Sequence, residues 1–137
     1  MALLRVLAAV LAVSLMAGEL WRSWGTDRQL VFVIDDMIIG VFLLAGAWVM
    51  ARDTVRRRAF FCAAWGFSAG LLYSSFFGKL VAPAEVDSGN WNMSVLTALV
   101  GLAFGASVIG MVASIAIPAR SGLIQSATCA GLSTRWT

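Results

Sequence analysis

Few residues in this chain have chemistry to offer, and most of them fall at one level. Asp35 and Asp36 interrupt an apolar run over 30–51, about 8–9 Å in from its start at 1.5 Å per helical residue. Glu19 closes the first apolar run, Lys79 lies near the end of the third, and Arg22 and Arg28 stand between the first and second. Three carboxylates, Glu19, Asp35 and Asp36, are a donor set for a hard cation bound through oxygen, or for a carboxyl that cycles a proton in a coupled carrier. Two plainer arrangements use the same residues. Asp36 forms an ion pair with Lys79 or an arginine while Asp35 stays near water, since a nearby cation favours an ionised carboxyl and burial opposes it. Alternatively, the two acids cap the second helix, where negative charge complements the helix dipole. Capping would leave only residues 37–51, about 22 Å of helix, to cross a hydrocarbon layer of about 30 Å. Neighbours on a helix point about 100° apart, so the two acids cannot share a direction. Asp36 falls on the side of Gly40, Leu43 and Ala47, which places it toward the interior and Asp35 toward the interface.

Catalytic and cofactor chemistry have little to work with. The chain contains no histidine, which removes the commonest metal ligand and the usual base near neutral pH. Its two cysteines, Cys62 and Cys129, form no CxxC and show no metal-ligand spacing. Ser68, Tyr73, Ser74 and Ser75 form a polar patch on the third run with no base at their depth, so interhelical hydrogen bonds are the expected role. The expectation is a protein that is not an enzyme, with no catalytic residue, no cofactor and no metal.

The composition requires lipid as solvent. Hydrophobic residues make up 61% of the 137 and charged residues 12%, against roughly 25% charged in a soluble domain. The net charge of +3 is no nucleic-acid footprint, because the positive residues cluster beside apolar runs and no basic stripe carries interleaved aromatics. The bilayer itself is therefore the first partner.

Four apolar runs, 3–20, 30–51, 59–81 and 93–117, are read as helices. The last three each cover about 33–37 Å, enough to cross a membrane with some tilt. Barrel strands would be shorter and would alternate polar with apolar residues. The first run resembles a signal peptide, but small residues are missing from the positions that cleavage needs, so it is read as a retained helix. Short connections predict an all-α, four-helix antiparallel transmembrane bundle over residues 1–118. Pro118 ends the last helix, and residues 119–137 form a polar, disordered tail.

Arginine and lysine placement sets the expected orientation. Arg52, Arg56, Arg57 and Arg58 crowd one connection with a single acid, Asp53, which assigns that loop and both termini to the cytoplasm. The sites near Glu19 and Lys79 then lie at the outer face of a multi-pass protein of the cell inner membrane. Trp21, Trp24 and Trp91 at one level and Trp48 at the other form the expected aromatic belts.

Small residues mark the expected helix contacts. Gly66, Gly70, Ser74 and Gly78 recur every four residues on the third helix, and Gly101 and Gly105 lie on the fourth. Such stripes let backbones approach closely in lipid. The first reading is packing within the chain, so that Gly70→Leu disrupts the bundle; the second is a face for a homo-oligomer or another membrane protein. The expected role is an accessory, assembly or interaction component of the membrane. The alternative is a small proton- or cation-coupled transporter using the acidic site.

Overall fold

The computed structural model describes residues 1–25, 30–52, 54–82 and 90–117, with backbone alone at 30–32. The tail 119–137, Pro118, and the loop charges Asp27, Arg28, Asp53, Glu85 and Asp87 lie outside the described residues. Within them the chain is all-helical: α1 (Ala2–Ser23), α2 (Leu30–Val49), α3 (Val55–Val81) and α4 (Met93–Ala116). By length and composition α1, α3 and α4 are long and apolar enough to cross a membrane.

Two helices run past the ends of their apolar runs. α1 continues through Glu19 and Arg22 to Ser23, because side-chain pairs one turn apart hold its polar end: Arg22 with Glu19, and Ser23 with Glu19. Beyond it Gly25 takes a left-handed φ of 72°, a conformation that suits glycine and turns the chain away. α3 begins at Val55, after Thr54 in extended conformation, so Arg56, Arg57 and Arg58 belong to the helix rather than to the loop. At the start of α4 the Asn92 side chain caps the helix, accepting from the Ser94 N–H at 2.9 Å. α2 ends at Val49, where the Ala51 N–H reaches back to Trp48 at 3.0 Å in a tightened last turn.

α1 packs mainly on α2, α2 on α3, and α3 on α4, while α1 and α4 meet only slightly. A core of Ala8, Ala12, Ile39, Leu43, Met50, Phe61, Ala64, Trp65 and Leu72 fills the seams. The largest apolar residues elsewhere point outward, with Leu102 72% and Ile115 70% exposed, as in a bundle whose outer wall meets lipid tails. Trp21, Trp24 and Trp48 are likewise exposed.

The small-residue positions divide. A Cβ at Gly101 would meet the Phe76 ring at 2.7 Å, and one at Gly110 the Trp65 ring at 2.5 Å, so these glycines let α4 sit close on α3. Gly66 approaches Met111. Gly70, Gly78 and Gly105 have nothing within 4 Å of a Cβ, and Gly70, Ser74 and Gly78 are exposed. Of the expected packing positions, Gly66 on α3 and Gly101 on α4 meet a neighbouring helix, while a Cβ at Gly70, Gly78 or Gly105 would meet nothing. The stripe drifts around the helix as it climbs, and its upper part leaves the seam.

At one end of the bundle, arginines reach backbone carbonyls left open at helix C-termini. Arg5 Nε donates to Ala47 O at 2.8 Å, Arg57 Nη1 to Val49 O at 3.4 Å, and Arg58 Nη1 to Ile117 O. A cation at a helix C-terminus also complements the dipole. Ser68, Ser107 and Ser114 are buried, each donating to the carbonyl four residues earlier at 2.7–2.9 Å. The expected interhelical role of Ser68 is thus replaced by a bond within its own helix, the nearest acceptor in a dry interior.

Candidate functional site

At the opposite end, charged side chains gather from three helices. Glu19 and Arg22 of α1 and Lys79 of α3 are 3%, 7% and 6% exposed. Charges this deep need partners, since desolvation outweighs attraction unless hydrogen bonds complete the geometry. Arg22 Nη1 lies 3.3 Å from Glu19 Oε2. Ser23 donates to Glu19 Oε1 at 3.1 Å. Lys79 Nζ donates to the Ser75 hydroxyl at 2.6 Å and to the Ser75 carbonyl at 3.2 Å. Asp36 of α2 stands within hydrogen-bonding reach of Glu19, with Arg22 and Lys79 near enough to act on its charge.

Of the four residues singled out in the sequence, Glu19, Asp36 and Lys79 come together and Asp35 does not. Asp35 is exposed, turned away by the helical angle between neighbours. The three-carboxylate arrangement is therefore corrected to two carboxyls facing two cations. Among the described residues no group of three or more His, Cys, Asp or Glu gathers as a metal site.

Glu19, Arg22 and Asp36 of this cluster line one end of a cleft of about 550 Å³ between α1 and α4, where the helices barely touch. Leu11, Ser14, Leu15 and Gly18 form the α1 wall, and Leu99, Val100, Ala103 and Ala106 form much of the α4 wall. Gly18 has open space where a Cβ would stand, and the other small residues keep the cleft wide. Glu19, Arg22, Asp36, Ser75 and Trp91 make the polar end. Next to Trp91, Asn90 bonds to the end of α1. That side-chain amide donates to Trp21 O at 3.1 Å and Trp24 O at 2.9 Å, and its N–H donates to Arg22 O at 3.4 Å. Asn90 thus ties the start of α4 to the open carbonyls of α1 and sets Trp91 over the cleft.

The sequence reading placed Arg22 among the possible partners of Asp36 and Ser75 in a polar patch, but it did not pair Arg22 with Glu19 or Ser75 with Lys79, and Asn90 and the cleft had no place in it. Arg22 was assigned to a loop because it follows the apolar run, although its spacing of three from Glu19 is the signal for a helical ion pair. No family model, curated protein or solved structure matches the chain.

Proposed function

We propose that this is a small, non-enzymatic, multi-pass protein of the bacterial inner membrane that works by binding, as an accessory or interaction component. In this reading all four helices span the membrane as an antiparallel bundle with both termini in the cytoplasm. The arginines then lie at the cytoplasmic end and the Glu19 cluster at the outer face. The observation that carries the proposal is the α1/α4 cleft, with apolar walls and a charged end whose members are bonded to one another. Clefts of about 300–1,000 Å³ with mostly apolar walls and a few convergent polar groups are the usual form of a binding site.

The runner-up is proton- or cation-coupled transport, favoured by the contact between Glu19 and Asp36 in a cleft. Against a metal cation stand Arg22 and Lys79, whose charges oppose its entry. Affinity purification of the tagged chain from its own membranes, together with flux in proteoliposomes, separates the two. The proposal expects a partner or ligand retained at fixed ratio and no pH-driven or cation-driven flux above protein-free vesicles. Flux abolished by Asp36→Asn, with nothing retained, would overturn it.

A further inference from the structure

The cleft has the shape and charge pattern of a receptor for one amphiphile. From Glu19 to Leu11, α1 offers about 12 Å of wall, close to the about 15 Å hydrocarbon depth of a single leaflet. Leu99 and Leu102 on its rim are exposed, so a chain can enter sideways from lipid. At the polar end Trp91 lines the cleft.

The head must suit two carboxyls and an arginine on the lining, with Lys79 outside the lining but near enough to act on the charge of Asp36. Their formal charges cancel. A ligand ion of either sign enters a low-dielectric end where half of the groups repel it, and it must compete with the Glu19–Arg22 pair at 3.3 Å. A head without net charge avoids the uncompensated repulsion, and one that both donates and accepts can bond the two members of the pair together. It can donate to Glu19 and Asp36 and accept from Arg22, the two halves of the polar end.

We propose that the α1/α4 cleft binds a single-chain amphiphile whose hydrogen-bonding head carries no net charge, zwitterionic or uncharged, with the head against Glu19, Asp36 and Arg22 and the chain between Leu15 and Leu99. This rests on the reading of the chain as a binding protein and names the class of ligand.

The test is native mass spectrometry of the full chain released from nanodiscs, with four probes of equal chain length: a lysophosphatidylethanolamine, a monoacylglycerol, a lysophosphatidylglycerol and an alkylammonium. The expected result is one bound molecule of either of the first two, preferred about tenfold or more over both ionic probes. Leu99→Trp and Ala106→Trp fill the cleft from a partly exposed helix face and should abolish that binding, while Asp35→Asn should leave it unchanged. Competition among the four probes on the wild-type chain requires no variant. Preference for either ionic probe, binding unchanged in both tryptophan variants, or no binding at all would overturn the inference. Should no probe bind while a partner protein still co-purifies, the ligand class fails and the binding role stands. Cation-driven flux would remove the binding role itself.

Discussion

Substituting Gly110 by alanine should loosen the bundle, although alanine is the better helix former. A Cβ there would sit 2.5, 2.6 and 2.7 Å from three atoms of the Trp65 ring, about an ångström inside ordinary carbon contact. Those atoms belong to the fused part of the indole, not to a flexible tip. Trp65 is fully buried and stands edge-on to Phe61 with centroids 5.9 Å apart, so the ring cannot swing clear. Relief requires α4 to back away from α3. Overpacking of this kind costs about 1–3 kcal/mol. Alanine returns up to about 1 kcal/mol over glycine in a soluble helix, and less here, because separated helices remain helical in lipid. The net expectation is a loss of about 1–2 kcal/mol. Gly70→Ala is the matched control: nothing lies within 4 Å of its Cβ, and the change should stay within about 0.5 kcal/mol. Even Gly70→Leu should leave the fold intact, the reverse of what its place in the glycine stripe suggests. The assay is equilibrium unfolding in mixed micelles by SDS titration, read by near-UV circular dichroism, which reports aromatic packing. A Gly110→Ala protein as stable as wild type, or a Gly70→Ala protein that loses more, would refute the reasoning.

Other expectations come from the two polar ends. Glu19→Gln removes the negative charge facing buried Arg22 and should cost about 2–3 kcal/mol. Adding Arg22→Gln should recover part of that loss, and a double-mutant cycle in the same unfolding assay checks it. Asn90→Ala removes the amide that bonds Trp21 O and Trp24 O. It should cost about 1 kcal/mol, with faster hydrogen exchange at the end of α1. Arg5→Leu withdraws the donor to Ala47 O and should lower stability by about 1–2 kcal/mol, whereas Arg52→Leu, at an exposed position without an assigned bond, should change stability by under about 0.5 kcal/mol.

The helices were legible because lipid imposes long apolar runs and intrahelical hydrogen bonding. Their ends were less so. A run ends at its first charge, but a backbone at an interface need not. Arg56–Arg58 continue α3 because long cationic side chains reach carbonyls at neighbouring helix ends, as Arg58 does at Ile117. Glu19 and Arg22 continue α1 by pairing one turn apart. In the candidate site, depth counting from helix ends was enough to bring Glu19, Asp36 and Lys79 to one level, and helical angle separated Asp35 from Asp36. Shape was not legible. The cleft arises from how little α1 and α4 touch, and the Asn90 tie joins residues 69 and 66 positions apart. Neither leaves a periodic mark. The glycine stripe misled because spacing by four tracks one face only for a few turns.

The central claim is that the Arg52 end and the Asn92 end of this bundle face opposite sides of a bilayer, with the arginines in the cytoplasm. With Cys62 and Cys129 replaced by serine, single Arg52→Cys and Asn92→Cys variants, both at exposed positions, can be labelled in intact cells with a membrane-impermeant maleimide. Asn92→Cys should react in intact cells and Arg52→Cys only after the membrane is opened. Reaction of both from outside, or recovery of the folded chain from plain buffer without detergent, would contradict it.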